Sequence, residues 1–535
     1  MNLGKTMVRL TKSPIRSVLA AGVILSLLIN FLCISYIYVY VKEGPSSHIT
    51  ADSSTHVHVT AERSPIHTSE TGAKGRRLAQ LECEGLENTD RMVYWSEILE
   101  QPPHVSKDDE KFLLFDEDVA GWNNKRISFE IFAILAKITD RTLVLPPMRG
   151  GWFGLFSRQM TREEAFTFTD VLDVRGIRII SLEQFLLSES KNLGMPPQNR
   201  TDWSLQAIRD LRIWLKEVTH PLTWKVEECL LGIPKEDDQI QPLSKALESL
   251  AKQKYPRHHW DKPLQPSSAS LEDRMSQLVV YNQSSLCFYD KLLQSERYLY
   301  YQISTDGALS MVFTRRLLIW FYQFIFFEDW HQDLRIKRWV RDSLRYKDEH
   351  QCTALRIVNQ LSKFHSLHIR RSSQFEHQFG KQPTADDIYL SIKDLMEEGS
   401  KIYIATDEPD REFFQPLMDH YRVFFLGDFS DALADVSPKY YGMIEQLVAS
   451  QGELFVGSWS STFSNFIIRM RGYMSQVRRL KGFEEGLLVN TFFYNQPGQF
   501  RAMHSYHTPR KAWFLRESPI VWHGIDQDLE SPDEY

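Results

Sequence analysis

Residues 363–371 read KFHSLHIRR, a run that alternates largely apolar and polar side chains and then sets two arginines, Arg370 and Arg371, directly after it. Alternation over this length predicts a strand entering a core. A buried strand ordinarily ends in turn residues or a single charge, so a guanidinium pair held by a rigid element points to an anion to be gripped. Downstream the pattern continues. The helical stretch ADDIYLSIKDLMEEG (385–399) leads to the strand KIYIATDE (401–408), and the helical DREFFQPLMDHY (410–421) to the strand RVFFLGD (422–428). The helical YYGMIEQLVASQ (440–451) then leads to the strand ELFVGS (453–458). Strands separated by helices at this spacing imply parallel pairing with right-handed crossovers.

A similar series stands upstream. KFLLFDEDVAGWNNKRISFEIFAILAKITDRTLVLPP (111–147) reads as strand, glycine turn, helix and strand, and VLDVRGIRIISLEQFL (171–186) adds another strand and helix. Lys191 to about Ser268 is polar, helical and irregular, the mark of an insertion. GALSMVFTRRLLIWFYQFIFF (307–327), apolar on too many sides for a surface helix but interrupted by Arg315 and Arg316, reads as a buried helix. The fold class is therefore α/β, with two doubly wound domains facing a cleft. The predicted boundaries are 91–350 for the first domain, with its helical insertion over about 190–300, and 351–535 for the second. A chain of 535 residues is too long for one hydrophobic core.

The N-terminus places this body. Val18 to Val41 carries no charge and no proline and is long enough to cross a bilayer as a helix. Lys5, Arg9, Lys12 and Arg16 precede it without an acidic residue, which orients residues 1–17 to the cytosol and the body to the lumen. A cleaved leader is the rival reading, but the apolar stretch is longer than leaders have and no small-residue cleavage site follows. Residues 42–90 are rich in Ser, Thr, His and Gly up to about Ala79 and read as a stem, with folded sequence expected from near Arg91. Asn199 and Asn282 head glycosylation sequons, as a luminal body allows. Cys83, Cys229, Cys287 and Cys352 lie on the oxidising side and permit three pairings, which the sequence leaves open. A single-span type II protein without a retrieval tetrapeptide is expected in the Golgi membrane, or in the endoplasmic reticulum. With 63 Lys and Arg against 69 Asp and Glu, the formal charge of -6 argues against nucleic acid as a partner.

In open parallel sheets ligands sit at the carboxyl ends of the strands, so the residues that follow each strand carry the chemistry. After the first strand come Gly121, Asn123, Asn124 and Arg126. After the later strands come Arg370 and Arg371, then Asp407, then Ser460, Ser461, Thr462 and Asn465 ahead of the apolar helical stretch FIIRMRGY. Hydroxyls and backbone N–H groups at a helix start can surround phosphate oxygens. Taken singly, the asparagines and Asp407 read as turn and cap residues, the arginine pair as a structural ion pair, and the serines as an ordinary helix start. One anionic ligand accounts for all four groups together. Two Asp-x-Asp triplets, at Asp116–Asp118 and Asp526–Asp528, fall outside this arginine-based set, and no metal site is expected. His258 and His259 read as surface loop.

GWNNKR, LHIRR, IYIATDE and ELFVGSWSSTFSNFIIRMRGY, in that order and spacing, resemble the GDP-fucose protein O-fucosyltransferase superfamily, whose members have a GT-B fold. The resemblance covers most of Phe112 to Asp528, and its last motif is the most specific. It implies an inverting glycosyltransferase that moves fucose from GDP-fucose to a protein or glycan hydroxyl, with no metal and no cofactor, and with residues 351–535 holding the nucleotide sugar. Arg370 would contact the diphosphate and stabilise the leaving group, supported by Arg371, with His368 near the nucleotide. Gly121, Trp122, Asn123, Asn124 and Arg126 would face the sugar and acceptor, with Asn124 catalytic. Asp407 would lie near the nucleotide, and Ser461, Thr462 and Phe463 would line the phosphate and base pocket.

Two positions depart from the pattern. Ser372 and Ser373 stand where many relatives have Gly-Asp, and Ala120 stands where one branch has an acidic base. An asparagine with bound water would then relay the acceptor proton. The alternatives are a related transferase with another donor, such as a rhamnosyltransferase, and an inactive glycan-binding pseudoenzyme.

Overall fold

Every strand of the two series forms in the computed structural model of the chain. The structure describes residues 77–97, 105–116, 121–146, 167–194, 205–222, 224, 229–252, 268–280, 285–302, 325–371, 382–458, 461–494, 500–502 and 521–530. The predicted span and tail, most of the stem, both sequons, His258 and His259, Ala120, Ser372, Ser373 and Ser460 lie outside them. No described helix is long and apolar enough to cross a membrane.

The result is a mixed α/β fold built on parallel sheets. Strands β1 (Phe112–Phe115), β2 (Thr142–Leu145), β3 (Ile179–Ser181), β4 (His220–Pro221) and β5 (Tyr298–Tyr301) form one sheet in the order β3-β2-β1-β5-β4, all parallel. Strands β6 (His365–Ile369), β7 (Lys401–Thr406), β8 (Arg422–Phe424), β9 (Phe455–Ser458), β10 (Thr491–Tyr494) and β11 (Phe500–Ala502) form the second in the order β8-β7-β6-β9-β10-β11. Only the β10–β11 pair is antiparallel. The second sheet reverses its winding between β6 and β9, and ligands of doubly wound sheets bind at such a switch point.

Six helices matter for the site: α1 (Trp122–Ile138), α2 (Leu205–Val218), α3 (Trp330–Ser343), α4 (Asp348–Leu361), α5 (Tyr441–Ser450) and α6 (Thr462–Arg478). Helix α1 is buried around nearly its whole circumference because it is covered on both sides. Phe132 stacks on Phe115 of β1 with ring centroids 4.2 Å apart, and Arg126 lies 3.6 Å from the Phe466 ring of α6. The five-stranded sheet precedes residue 350 and the six-stranded sheet follows it, yet the packing runs through both, and all described residues belong to one unit, residues 69–535.

The expectations for the start of the folded chain and for the helical insertion need correction, and the open cysteine pairing is settled. Folded chain begins before Arg91: Leu78 bridges Ser96, Leu81 is buried, and Cys83 is bonded to Cys352 on α4. Long-range ties hold a segment whose composition reads as stem. The second disulfide joins Cys229 to Cys287, so one of the three pairings is realised. The insertion is not purely helical. Leu230–Ile233 pairs in parallel with Leu286–Phe288 and with Ile325–Phe327, so the apolar stretch expected as a buried helix ends in a strand. The backbone groups of Ile325–Phe327 are satisfied across the sheet instead of along a helix. Finally, residues 521–530 reach back to α6 and to α3. Trp522 lies against Gly472, where a Cβ would come within 2.4 Å of its ring, and Asp526 pairs with Arg341 of α3 at 2.8 Å.

Candidate active site at the switch point of the six-stranded sheet

Strand β6 is buried from Ser366 to Ile369. Leu367 and Ile369 enter one apolar cluster with Ile402, Ile404 and Val456. On the opposite face Ser366 donates to the Ala449 carbonyl of α5 at 2.6 Å, and His368 meets α6. The His368 ring stacks on Phe463 with centroids 4.4 Å apart, and its Nδ1 lies 2.6 Å from Ser464 Oγ. Burial, assisted by the charge of Arg370, pushes the His368 pKa down to about 3, so the imidazole is neutral in the folded protein at physiological pH.

A short polar ladder joins the two strands at the switch point. The Arg370 backbone N–H donates to Ser458 Oγ at 3.0 Å, Ser458 Oγ donates to the His368 carbonyl at 3.0 Å, and the Ser458 N–H donates to Ser464 Oγ at 2.9 Å. Helix α6 starts at this place. Ser461 caps it by accepting from the Phe463 N–H at 3.3 Å, and its first turn holds no acidic residue. The positive end of a 17-residue helix therefore opens beside Arg370.

The two arginines differ in how they are held. Arg371 is braced by three contacts: its Nε donates to Glu408 at 2.8 Å, its Nη1 to the Pro383 carbonyl at 3.2 Å, and its guanidinium lies 3.8 Å from the Phe413 ring. Arg370 pairs with Asp407 at 2.9 Å while 37% of its side chain stays exposed. Asp407 also accepts from the Arg371 N–H at 2.7 Å, so a single carboxylate orients both residues. One contributor was not visible in the sequence. Glu445 of α5 accepts a hydrogen bond from the Thr406 backbone beside Asp407, and burial together with that neighbouring charge raises its pKa to about 8. In the sequence it is one polar position of an amphipathic helix, with no local signal to single it out.

Across from this edge, Gly121 starts α1 with φ of -65° and open space where a Cβ would stand, so nothing in the fold itself demands glycine there. Asn123 is buried, and its Oδ1 accepts from Gln446 Nε2 at 3.1 Å. The same nitrogen donates to the Phe463 carbonyl at 3.0 Å. Gln446 Oε1 accepts from the Tyr346 hydroxyl at 2.6 Å, which in turn accepts from Trp122 Nε1 at 3.2 Å. Trp122 and Asn123 are thereby brought to Phe463, the residue that stacks on His368. Asn124 Oδ1 is buried and has no hydrogen-bond partner among the described residues.

Arg126 is the predicted site residue that the structure places elsewhere. It is fully buried and bonds Glu130 at 2.6 Å, and the other oxygen of Glu130 takes Arg469 of α6 at 2.8 Å. One turn of helix separates Arg126 from Glu130, so the side chain folds back onto its own helix and is consumed there. The Asp-x-Asp triplets are structural where described. Asp116 accepts from Tyr300 at 2.6 Å and pairs with Arg212 at 3.0 Å, while Asp526 and Asp528 pair with Arg341 and Arg338. Among the described residues no group of three His, Cys, Asp or Glu side chains is disposed to hold a metal ion.

Comparison with known proteins adds a family. The family model described as GDP-fucose protein O-fucosyltransferase matches residues 112–474, more than half of the chain. Among solved structures, POFUT1 in complex with GDP-fucose is similar at 12% identity, covering 68% of this chain and 94% of that one, with a TM-score of 0.32. NodZ α-1,6-fucosyltransferase soaked with GDP-fucose is similar at 11% identity, covering 74% and 99%, with a TM-score of 0.35. The fucosyltransferase NodZ from Bradyrhizobium gives the same figures. No curated protein matches the chain.

Proposed function

The chain belongs to the GDP-fucose protein O-fucosyltransferase family and is a glycosyltransferase; from that premise we propose that it moves fucose from GDP-fucose to a hydroxyl of a protein or glycan, with inversion and without a metal. The observation that carries the reading is the meeting of Arg370 with the start of α6 at the switch point, joined through Ser458. As the bond from the sugar C1 to the β-phosphate oxygen breaks, its electron pair stays with that oxygen. A guanidinium and an oriented helix terminus stabilise the developing charge where another enzyme would use Mg²⁺. The diphosphate replaces Asp407 as a partner of Arg370, while Arg371, held by Glu408 and Phe413, keeps the strand end in place.

The acceptor oxygen approaches C1 from the opposite face. Asn124, whose Oδ1 has no hydrogen-bond partner among the described residues, positions that hydroxyl or a water that takes its proton to solvent. His368 stays neutral and supports the wall made by Phe463. Two disulfides fit an oxidising lumen. With the apolar segment 18–41, they favour a single-pass type II protein whose body faces the Golgi lumen.

The test is a panel of GDP, UDP, GDP-fucose and other nucleotide sugars scored for thermal stabilisation and turnover, with and without a chelator. GDP-specific stabilisation with chelator-insensitive release of GDP from GDP-fucose is expected. Stabilisation by UDP alone overturns the donor, loss of turnover with chelator overturns the metal-free mechanism, and binding without turnover identifies a pseudoenzyme.

A further inference from the structure

Gln446 lies on α5, belongs to neither predicted motif wall, and has no solvent exposure. Its amide is fully used. The oxygen accepts from Tyr346, and the two N–H groups go to two different places, the Asn123 side chain at 3.1 Å and the Phe463 carbonyl at 3.0 Å. The first belongs to the turn that opens α1, the second to the turn that opens α6. Those two turns are 340 positions apart in the chain, counting from Asn123 to Phe463, and each forms one wall of the candidate site.

We propose that Gln446 is a positioning residue that fixes the spacing between the asparagine turn Gly121–Asn124 and the phosphate-side turn Ser461–Phe463. The inference rests on the site assignment above and adds the element that keeps the site's two walls in register. The physical requirement is specific. Only a primary amide accepts once and donates twice from one planar group. A carboxylate at this position cannot donate, and an aliphatic side chain leaves the Asn123 oxygen, the Phe463 carbonyl and the Tyr346 hydroxyl without their partner. The Tyr346 bond, backed by Trp122, sets the amide plane and so directs the nitrogen between its two acceptors. Gln446 touches no reacting atom. It acts through Asn123, the neighbour of Asn124, and through Phe463, the neighbour of Thr462.

The full-length protein is compared with its Gln446→Leu, Gln446→Glu and Asn123→Ala variants for melting temperature, affinity for GDP and for GDP-fucose, and kcat at saturating donor. Because a misplaced wall degrades geometry rather than charge, Gln446→Leu should lower kcat about tenfold to a hundredfold while GDP affinity changes by less than about threefold. Its preference for GDP-fucose over GDP should shrink, and the effect of Asn123→Ala should be largely lost in the double variant because both act through one contact. The Gln446→Glu variant should recover rate as pH falls, since its protonated carboxyl regains one donated hydrogen bond. A folded Gln446→Leu variant with unchanged kcat and unchanged preference for the sugar overturns the proposal, as does strict additivity with Asn123→Ala. If the wild-type chain binds GDP-fucose without turning it over, the transferase reading fails and the sugar preference and its coupling to Asn123 still decide the role of Gln446.

Discussion

After β1 the chain sets Asp116 against Arg212 and Tyr300, and α1 carries Arg126 into a buried triad with Glu130 and Arg469; after β6 it sets Arg370 against Asp407 with more than a third of the arginine side chain open. Both edges pair a carboxylate with a guanidinium near the end of a buried parallel strand. They differ in solvent access, and that difference decides what each can do. A charge pair with no exposure cannot exchange partners, because each ion removed from its mate would stand unsolvated in the interior. A pair open to water exchanges Asp407 for a phosphate at small cost, since solvent stabilises the intermediate arrangement. The triad fastens α1 to α6 and therefore sets the two sheets in place, whereas the Arg370 pair waits at the crevice between β6 and β9.

The largest effect expected from breaking this contrast is on stability. Glu130→Ala leaves Arg126 and Arg469 buried without their shared carboxylate and should cost about 3–5 kcal/mol in denaturant unfolding. A loss below about 1 kcal/mol would mean that the guanidinium groups reach water and that the buried side of the contrast is wrong.

The open edge should respond in rate instead. Arg370→Ala should lower turnover on the order of 100-fold to 1000-fold, the usual effect of removing one preorganised donor from developing charge. The same variant should shift unfolding by less than about 1 kcal/mol. Arg370→Lys retains the charge yet should recover only part of the rate, because an ammonium lacks the planar two-point contact. Full turnover by Arg370→Ala would remove the arginine from the mechanism.

The Arg370 edge was legible in the sequence because its parts follow strands, and strand ends can be found from alternation alone. The glycine-asparagine turn was legible for the same reason. Arg126 was misplaced although the sequence held a signal: Glu130 stands four residues on, the spacing of an intrahelical pair. Glu445 and Gln446 were beyond reach. Their place at the crevice depends on α5 lying across β6 and β7, and helical periodicity only marks them as polar positions in an amphipathic stretch. The early start of the folded chain was hidden in the same way, since Cys83 gains its structural role from Cys352, 269 residues away.

A smaller effect sharpens the comparison through pH. His368 of β6 and Glu445 of α5, which meets the end of β7 at Thr406, have pKa values moved in opposite senses from 6.5 down to about 3 and from 4.5 up to about 8. The unfolded chain binds the histidine proton first, so this group removes stability as pH falls below 6.5 toward 3. The folded chain retains the glutamate proton longer, so this group removes stability as pH rises from 4.5 toward 8. Between 4.5 and 6.5 the two slopes oppose each other. Above 6.5 the glutamate acts alone, at no more than about 1.4 kcal/mol per pH unit. Melting curves of Glu445→Gln should therefore lose the decline between pH 6.5 and 8. An identical decline in the variant would assign it to other groups.

The smallest expected effect separates a structural carboxylate from a metal ligand. Asp116 heads the Asp-x-Asp triplet, and a metal reading predicts that removing its charge abolishes turnover. The geometry predicts otherwise, because the carboxylate is committed to Arg212 at 3.0 Å and to the Tyr300 hydroxyl at 2.6 Å on the wall of a pocket lined by Leu114, Val144, Leu182, Leu211 and Leu215. Asp116→Asn keeps an acceptor for Tyr300 and leaves Arg212 without a charged partner, but the Arg212 side chain is 14% exposed and can reach water. The loss should be about 1 kcal/mol of stability, as for a partly solvated pair. Turnover should stay within about threefold of wild type, and addition of Mg²⁺ or Mn²⁺ should leave it unchanged, since the work of this carboxylate is to hold Arg212 and Tyr300 through Oδ1. Abolished turnover in a variant that melts near the wild-type temperature would move the chemistry to the edge of the five-stranded sheet and reverse the contrast between the two sheets.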